Sequence, residues 1–283
     1  MAKIINGKEI SAQIRSEIRE EVVAFEAKFN TKPGLAVIIV GTDPASQVYV
    51  RNKRKACDEV GFYSEAYELP ETTTQDELNA LIDKLNADEN IHGILCQLPL
   101  PKHLDENAVI LRIDPKKDVD AFHPYNVGKI MIGDYSFLPC TPAGVMELIE
   151  RSGIDTTGKE CVVVGRSNIV GKPQSMLLLH ANGTVTICHS RTKNLAEVCR
   201  RADILVAAIG KADFFTGDMV KDGAVVIDVG MNRRADGKLT GDVDFASVEP
   251  KASYITPVPG GVGPMTITML LKNTLTAAKE AVK

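Results

Sequence analysis

The stretch Val162-Val163-Val164-Gly165-Arg166-Ser167-Asn168-Ile169-Val170-Gly171-Lys172-Pro173 constrains this chain more than any other. A β-branched apolar run is what a strand buried on both faces requires. Here the run enters a glycine-bounded turn, and Pro173 then stands where a helix begins, a place that suits its fixed φ and missing N–H. Strand, tight turn and helix in that order make one unit of a parallel α/β sheet. The N–H groups and dipole of such a helix end favour an anion, above all a phosphate. The usual dinucleotide fingerprint is G-x-G-x-x-G. In this chain Ser167 takes the place of the middle glycine, and Gly171 comes one residue late. On spacing alone, a cofactor loop and a plain strand-to-helix turn both remain open.

The residues that follow favour the cofactor. Residues 177–180 continue the helix and 184–188 read as the next strand. An NAD-binding pattern wants an acid for the ribose hydroxyls roughly 20 residues on; this chain has His189-Ser190-Arg191-Thr192. An acid there would repel a 2′-phosphate, whereas Ser190 with Arg191 or Arg166 would hold one through charge-assisted hydrogen bonds. The expected cofactor is NADP, and solvated strand-end residues are the bland alternative.

Strand and helix patterns alternate almost throughout. Apolar residues at helical spacing (Ile10, Ile14, Ile18, Val22, Phe25, Phe29) predict a helix over 10–29. Residues 35–40, 62–69 and 91–98 read as strands, and 45–60, 74–86 and 105–112 as helices. Thr74 with Glu77 three residues later is a capping box. Residues 114–138 are looser, and the pattern restarts with a helix over 141–151. Strands follow at 161–165, 184–188, 203–209, 224–229 and 253–256, then a closing helix over about 265–281. The fold class implied is two α/β domains with parallel sheets flanking a cleft, the second a Rossmann-type NADP-binding domain. The expected division is 1–138, with 268–283 packing back on it, and 139–267.

Composition narrows the class of function. The 283 residues carry a net charge of −4, which excludes the basic face of a nucleic-acid binder. No apolar run approaches the roughly 20 residues of a membrane span, and residues 1–3 lead into no signal-like core. Six cysteines lack any C-x-x-C spacing. Reduced thiols in a cytoplasmic enzyme with no metal site are expected.

The first half carries the candidate chemistry. On a helix, Tyr49 and Lys53 lie four apart on one face. Cys57 and Val60 extend that face, so Lys53 sits in an apolar stripe, while Arg51, Arg54 and Lys55 point to solvent. Such a lysine either snorkels to water or is a partly desolvated amine able to pass protons near neutrality. Gln97 stands at the carboxyl end of a buried strand, where open α/β sheets bind ligands; alternatively it satisfies loop backbone. Asp118 and Asp120 share a side of an extended segment, and either can be a turn residue or a ligand-facing one. Pro257 to Pro264 packs three glycines and three prolines into eight residues, a rigid loop that lets backbone approach a flat ligand.

Taken in order, these pieces closely resemble the bifunctional methylenetetrahydrofolate dehydrogenase/methenyltetrahydrofolate cyclohydrolases. The matching segments are 44–53 (PASQVYVRNK), 93–101 (GILCQLPLP), 117–120 (KDVD), 139–142 (PCTP), 165–171 (GRSNIVG) and 257–264 (PVPGGVGP), which span nearly the whole chain. The resemblance implies that Lys53 is the central catalytic residue, with Tyr49 packing on the folate, Gln97 tuning Lys53, and Asp120 anchoring the pterin. It implies substrate contacts from Tyr49, Val50, Arg51, Asn52, Lys53, Cys96, Gln97, Leu98, Asp120, Pro259, Gly260, Gly261, Val262 and Gly263. Gly165, Arg166, Ser167, Ser190 and Met231 match the NADP contacts. The substrates implied are one-carbon derivatives of tetrahydrofolate, and the assembly implied is a homodimer. One residue departs from the pattern: Ala121 stands where the family continues with glycine after Asp-Val-Asp.

The chemistry suits these residues. Hydride transfer from the one-carbon bridge to NADP⁺ needs oriented rings rather than a base. Hydrolysis of the resulting methenyl group needs a proton relay, because water attacks carbon while a ring nitrogen leaves protonated. Lys53 is the residue placed for that. Two other readings remain: a dehydrogenase of hydroxy or amino acids without the hydrolytic step, and a catalytically silent NADP-binding protein, which Ala121 alone would favour.

Overall fold

The structure is a computed structural model that describes residues 1–42 and 44–283, and the side chains of all of these except residues 44–49. In chain order the elements are β1 (Lys3–Ile4), α1 (Gly7–Phe29), β2 (Gly34–Val40), α2 (Pro44–Val60), β3 (Tyr63–Leu69), α3 (Gln75–Ala87), β4 (Gly93–Cys96) and α4 (Glu106–Arg112). Then come α5 (Pro124–Ile132), α6 (Cys140–Arg151), β5 (Glu160–Val164), α7 (Gly171–His180), β6 (Thr184–Cys188), α8 (Leu195–Cys199), β7 (Ile204–Ala207) and β8 (Val225–Asp228). A short hairpin of β9 (Asn232–Arg233) and β10 (Leu239–Thr240) follows, then α9 (Phe245–Val248), β11 (Tyr254–Ile255) and α10 (Val262–Ala281). Among the described residues no helix is long and apolar enough to cross a membrane.

The chain divides into two compact units, Met1–Ala12 with Pro139–Thr266, and Gln13–Leu138 with Ile267–Lys283. The N-terminal segment therefore departs from the expected 1–138 domain. The reason is strand pairing: Lys3 and Ile4 pair in parallel with Tyr254 and Ile255. Two residues carry too little periodicity to announce such a strand.

The unit built on Gln13–Leu138 holds a three-stranded parallel sheet in the order β3-β2-β4. Every residue of β2 (GLAVIIV) is buried, as its unbroken apolar run requires. Ala36, Ile38 and Val40 pack with Leu78, Ile82 and Leu85 of α3. Thr74 caps that helix: its Oγ1 accepts from Glu77 N–H at 3.3 Å, and Glu77 Oε2 accepts from Thr74 N–H at 2.8 Å. The stretch expected to be loose contains α5, whose signals are a His123 cap, Pro124 in the first turn, and Gly133 at φ +77° after the end.

The other unit holds a six-stranded all-parallel sheet, β1-β11-β8-β7-β5-β6. Successive connections leave β5 in opposite directions, to β6 on one side and onward through β7 and β8 on the other. The crevice outside the carboxyl ends of β5 and β7 is thus the switch point where such sheets bind ligands. The same rule picks out the ends of β2 and β4 in the smaller sheet.

Candidate active site and dinucleotide crevice

Lys53 lies on α2, the helix that follows β2. It is 8% exposed, so most of the side chain is withdrawn from water. Cys57 and Val60 on the same face are fully buried, while Arg51, Asn52, Arg54 and Lys55 are exposed and Val50 is buried. Gln97 follows β4, and its N–H donates to Ile38 O of β2 at 2.8 Å. The two side chains meet: Lys53 Nζ donates to Gln97 Oε1 at 2.8 Å, and Gln97 Nε2 donates to Leu98 O at 2.8 Å. One end of the Gln97 amide thus satisfies loop backbone, as one of the two sequence readings has it, and the other end holds the lysine. Burial pushes the thiols of Cys57 and Cys96 up to about 12, against the opposing pull of the Lys53 charge. Neither thiol moves a proton near neutrality. The side chain of Tyr49 lies outside the described residues.

Asp118 and Asp120 separate into two roles. Asp118 is buried, and its carboxylate accepts from His123 N–H (2.8 Å), Asn126 Nδ2 (2.8 Å) and Phe122 N–H (3.3 Å). Burial pushes this carboxyl above the usual range, and those hydrogen bonds hold it down. Asp118 is thus the anchor of its own loop. Asn273 of α10 braces the same loop by donating to Val119 O at 2.8 Å. Asp120 is half-buried and lines a small pocket with Cys96, Leu98 and Phe122, next to Gln97 in the chain. Between them Ala121 is fully buried at φ +56°, its N–H donating to Asp118 O at 3.0 Å. This is left-handed backbone, which glycine adopts freely and alanine at a cost.

In the other unit, Gly165 ends β5 at φ +139°, and a Cβ there would stand 2.2 Å from Ala208 O. Only glycine fits. Gly171 packs on the same turn, where a Cβ would stand 2.2 Å from Gly165 O. Ser167 does more than replace a glycine: its Oγ accepts from Val170 N–H (3.1 Å) and Gly171 N–H (3.3 Å). The sequence suggests that the N–H groups at this helix end face a phosphate; two of them are instead closed by the chain's own hydroxyl. Gly165 N–H donates to Cys188 O at 2.9 Å, so the turn carrying Arg166 adjoins the turn carrying Ser190, and both residues are exposed. That second turn is closed by His189 N–H donating to Thr192 Oγ1 at 2.9 Å. Met231 is exposed after β8.

The Pro259–Gly263 loop belongs to this unit and runs into α10, which begins at Val262 rather than 265. Gly260 sits at φ +110°, and Gly261 is buried against Thr256 and Pro257. Sequence reasoning missed two buried carboxylates, Asp228 and Asp242, at the ends of β8 and β10. Their available signal was the glycine beside each, Gly230 and Gly241. All six cysteines are free.

The sequence profile described as "Tetrahydrofolate dehydrogenase/cyclohydrolase, catalytic domain" matches residues 5–120, and that of the "NAD(P)-binding domain" of the same enzymes matches 139–282. The chain belongs to this family. It is 66% identical over 282 residues to the bifunctional protein FolD of Acetivibrio thermocellus, covering 100% of this chain and 99% of the relative. The crystal structure of the bifunctional FolD of Campylobacter jejuni superposes with a TM-score of 0.97 at 50% identity, covering 99% of both chains. The Trypanosoma brucei enzyme, solved with NADP cofactor and inhibitor, gives a TM-score of 0.95 at 43% identity, covering 100% of this chain and 99% of that one. Family membership thus rests on the whole length of the chain and includes both crevices.

Proposed function

We infer that the protein oxidises 5,10-methylenetetrahydrofolate to 5,10-methenyltetrahydrofolate with NADP and then hydrolyses the product to 10-formyltetrahydrofolate. The observation that carries the hydrolytic half is the buried Lys53 amine on Gln97 Oε1, 2.8 Å away, at the end of the switch-point strands. Water attacks the methenyl carbon, the bond from that carbon to one ring nitrogen breaks, and the nitrogen departs with a proton. Lys53 passes that proton, and Gln97 fixes where the amine points. Asp120 holds the pterin edge; Tyr49, Val50, Arg51, Asn52, Cys96, Leu98 and Pro259 to Gly263 complete the folate contacts.

The residues present fit a dinucleotide. The glycine cradle at Gly165 leaves room for close approach of a pyrophosphate, and the exposed Arg166 and Ser190 on adjoining turns support a reading in which they hold a 2′-phosphate. When bound, NADP supplies the acceptor for the hydride. Gly165, Arg166, Ser167, Ser190 and Met231 orient it, and no side chain needs to remove a proton in that step. The protein works as a homodimer in the cytoplasm, and its net charge of −4 supports a role without nucleic acid.

The test is to supply methylenetetrahydrofolate with NADP or NAD and follow reduced cofactor and methenyl absorbance together. NADPH formation followed by loss of the methenyl signal is expected. Methenyl product that accumulates without enzymatic decay would reduce the reading to a dehydrogenase, and no cofactor reduction would refute it.

A further inference from the structure

The turn after β7 presents three successive backbone N–H groups, those of Ile209, Gly210 and Lys211. Such a run makes a concavity that attracts an anion. Here the chain supplies its own. Asp242 Oδ2 accepts from Ile209 N–H (2.7 Å) and Gly210 N–H (3.0 Å), and Oδ1 accepts from Lys211 N–H (2.8 Å) and Asn232 Nδ2 (2.9 Å). An ionised carboxylate offers about four acceptor positions, and these four donors use them. Asp242 is fully buried, although the turn it binds lies at the carboxyl end of a switch-point strand.

Asp242 is itself held from behind. Asp228 Oδ1 accepts from Asp242 N–H and Gly230 N–H at 2.9 Å each, and Oδ2 accepts from Val243 N–H at 2.9 Å. Asp228 N–H donates in turn to Thr256 Oγ1 at 2.8 Å. The two neighbouring glycines leave room for the carboxylates. A Cβ at Gly230 would stand 2.3 Å from Asp242 Oδ1, and one at Gly241 would stand 1.8 Å from Asp228 Oδ2. Backbone, carboxylate and glycine are thus matched at each point.

We propose that Asp242 is a positioning residue for the dinucleotide, fixing the turn 209–211 and, through Asn232, the adjacent Met231 at the rim of the crevice. It touches no cofactor atom. Its effect runs through the backbone on one side of the crevice and through Met231 on the other. The inference rests on the reading that Gly165, Arg166, Ser190 and Met231 hold NADP.

Asp242→Asn keeps the shape but puts an amide against N–H donors. In the full-length protein its KM for NADP rises about 10–100-fold, the size of one lost charge-assisted hydrogen bond. Its kcat at saturating NADP stays within about threefold, and hydrolysis of supplied methenyltetrahydrofolate, which uses no cofactor, stays near the parent rate and reports an intact fold. Asn232→Leu removes a single bond and raises the same KM about 3–10-fold. An unchanged NADP KM in Asp242→Asn overturns the proposal. If that variant fails to fold, an unchanged KM in Asn232→Leu overturns it equally. Arg166→Ala and Ser190→Ala check the underlying assignment separately: if neither weakens NADP, that reading is what fails.

Discussion

The two crevices solve opposite problems at equivalent places in their sheets. At the end of β2 and β4 the group we propose as catalytic is a side chain, Lys53, buried in an apolar stripe and held by the amide of Gln97. At the end of β5 and β7 the surface we propose for the cofactor is backbone, opened by Gly165 and tied down by Asp242. A hydrolytic step needs one group that exchanges protons, whereas holding a dinucleotide needs many fixed donors and close approach. On this proposal the first region concentrates its function in a few atoms, and the second spreads it along the chain. Single substitutions should be severe in the first and graded in the second.

The largest effect falls on Lys53. Lys53→Met keeps the apolar stem and deletes the amine, and methenyl hydrolysis should drop about 10²–10⁴-fold, the usual contribution of a positioned acid or base. NADP-dependent oxidation should fall less than about tenfold, since hydride transfer uses no base. Stopped-flow decay of the methenyl absorbance measures the first, and NADPH absorbance the second. Equal losses in both would erase the contrast between the regions.

The carboxylate scaffold gives the next effect, read as pH dependence. Burial pushes Asp228 from the ordinary carboxylate range up to about 7, despite the backbone N–H groups that oppose the shift. A carboxyl raised in the folded state contributes stability that is complete below its unfolded value near 4. That contribution is lost as pH climbs through 7. The parent should therefore lose a few kcal/mol relative to Asp228→Asn between about pH 4 and 7, as measured by denaturant unfolding at each pH. A stability difference that is flat across this window would contradict the assignment.

Cofactor choice comes third. Ser190→Asp places a negative charge where a 2′-phosphate would lie, and charge-assisted hydrogen bonds contribute about 1.5–3 kcal/mol each. The ratio of NADP to NAD dissociation constants should shift by roughly 10–100-fold toward NAD. Equal constants for the two cofactors in the parent would refute the phosphate reading outright.

The smallest effect sharpens the picture of the folate side. Ala121 is held at φ +56°, where a Cβ costs about 1 kcal/mol or more and glycine costs nothing sterically. Part of the gain in Ala121→Gly is offset by a more flexible unfolded chain. A net stabilisation of about 0.5–1 kcal/mol is expected, with tighter folate binding and unchanged NADP affinity. Calorimetric titration that shows unchanged or weaker folate binding would mark the alanine as neutral.

The contrast also explains what the sequence disclosed. Lys53 and Gln97 are 44 residues apart, yet each stands where a parallel sheet defines a position: one on the helix after a buried strand, the other at a strand's end. The β-branched runs, the Thr74 capping box and the Gly165 turn were legible because each is local. Asp242 was not, because its donors come from 31–33 residues upstream and from a hairpin ten residues away, with no periodicity to link them. The helix α5 was overlooked although its Pro124 start and Gly133 stop were present. The Ser167 hydroxyl closing the helix end required knowing the turn's path, which composition does not give. Asp118 and Asp120 looked equivalent by alternation, and only burial separated the anchor from the residue that lines a pocket.

The claim that the two regions act separately is tested most directly by combining Lys53→Met with Ser190→Asp and measuring the NADP dissociation constant by cofactor fluorescence. Substitutions that share no partner combine to within about 0.3–0.5 kcal/mol. The account predicts that the double variant binds NADP about as Ser190→Asp does alone, within roughly twofold, while methenyl hydrolysis stays at the level of Lys53→Met. An NADP affinity that drops a further tenfold when Lys53 is replaced would contradict it, because the lysine would then belong to the cofactor's machinery as well as to the folate's.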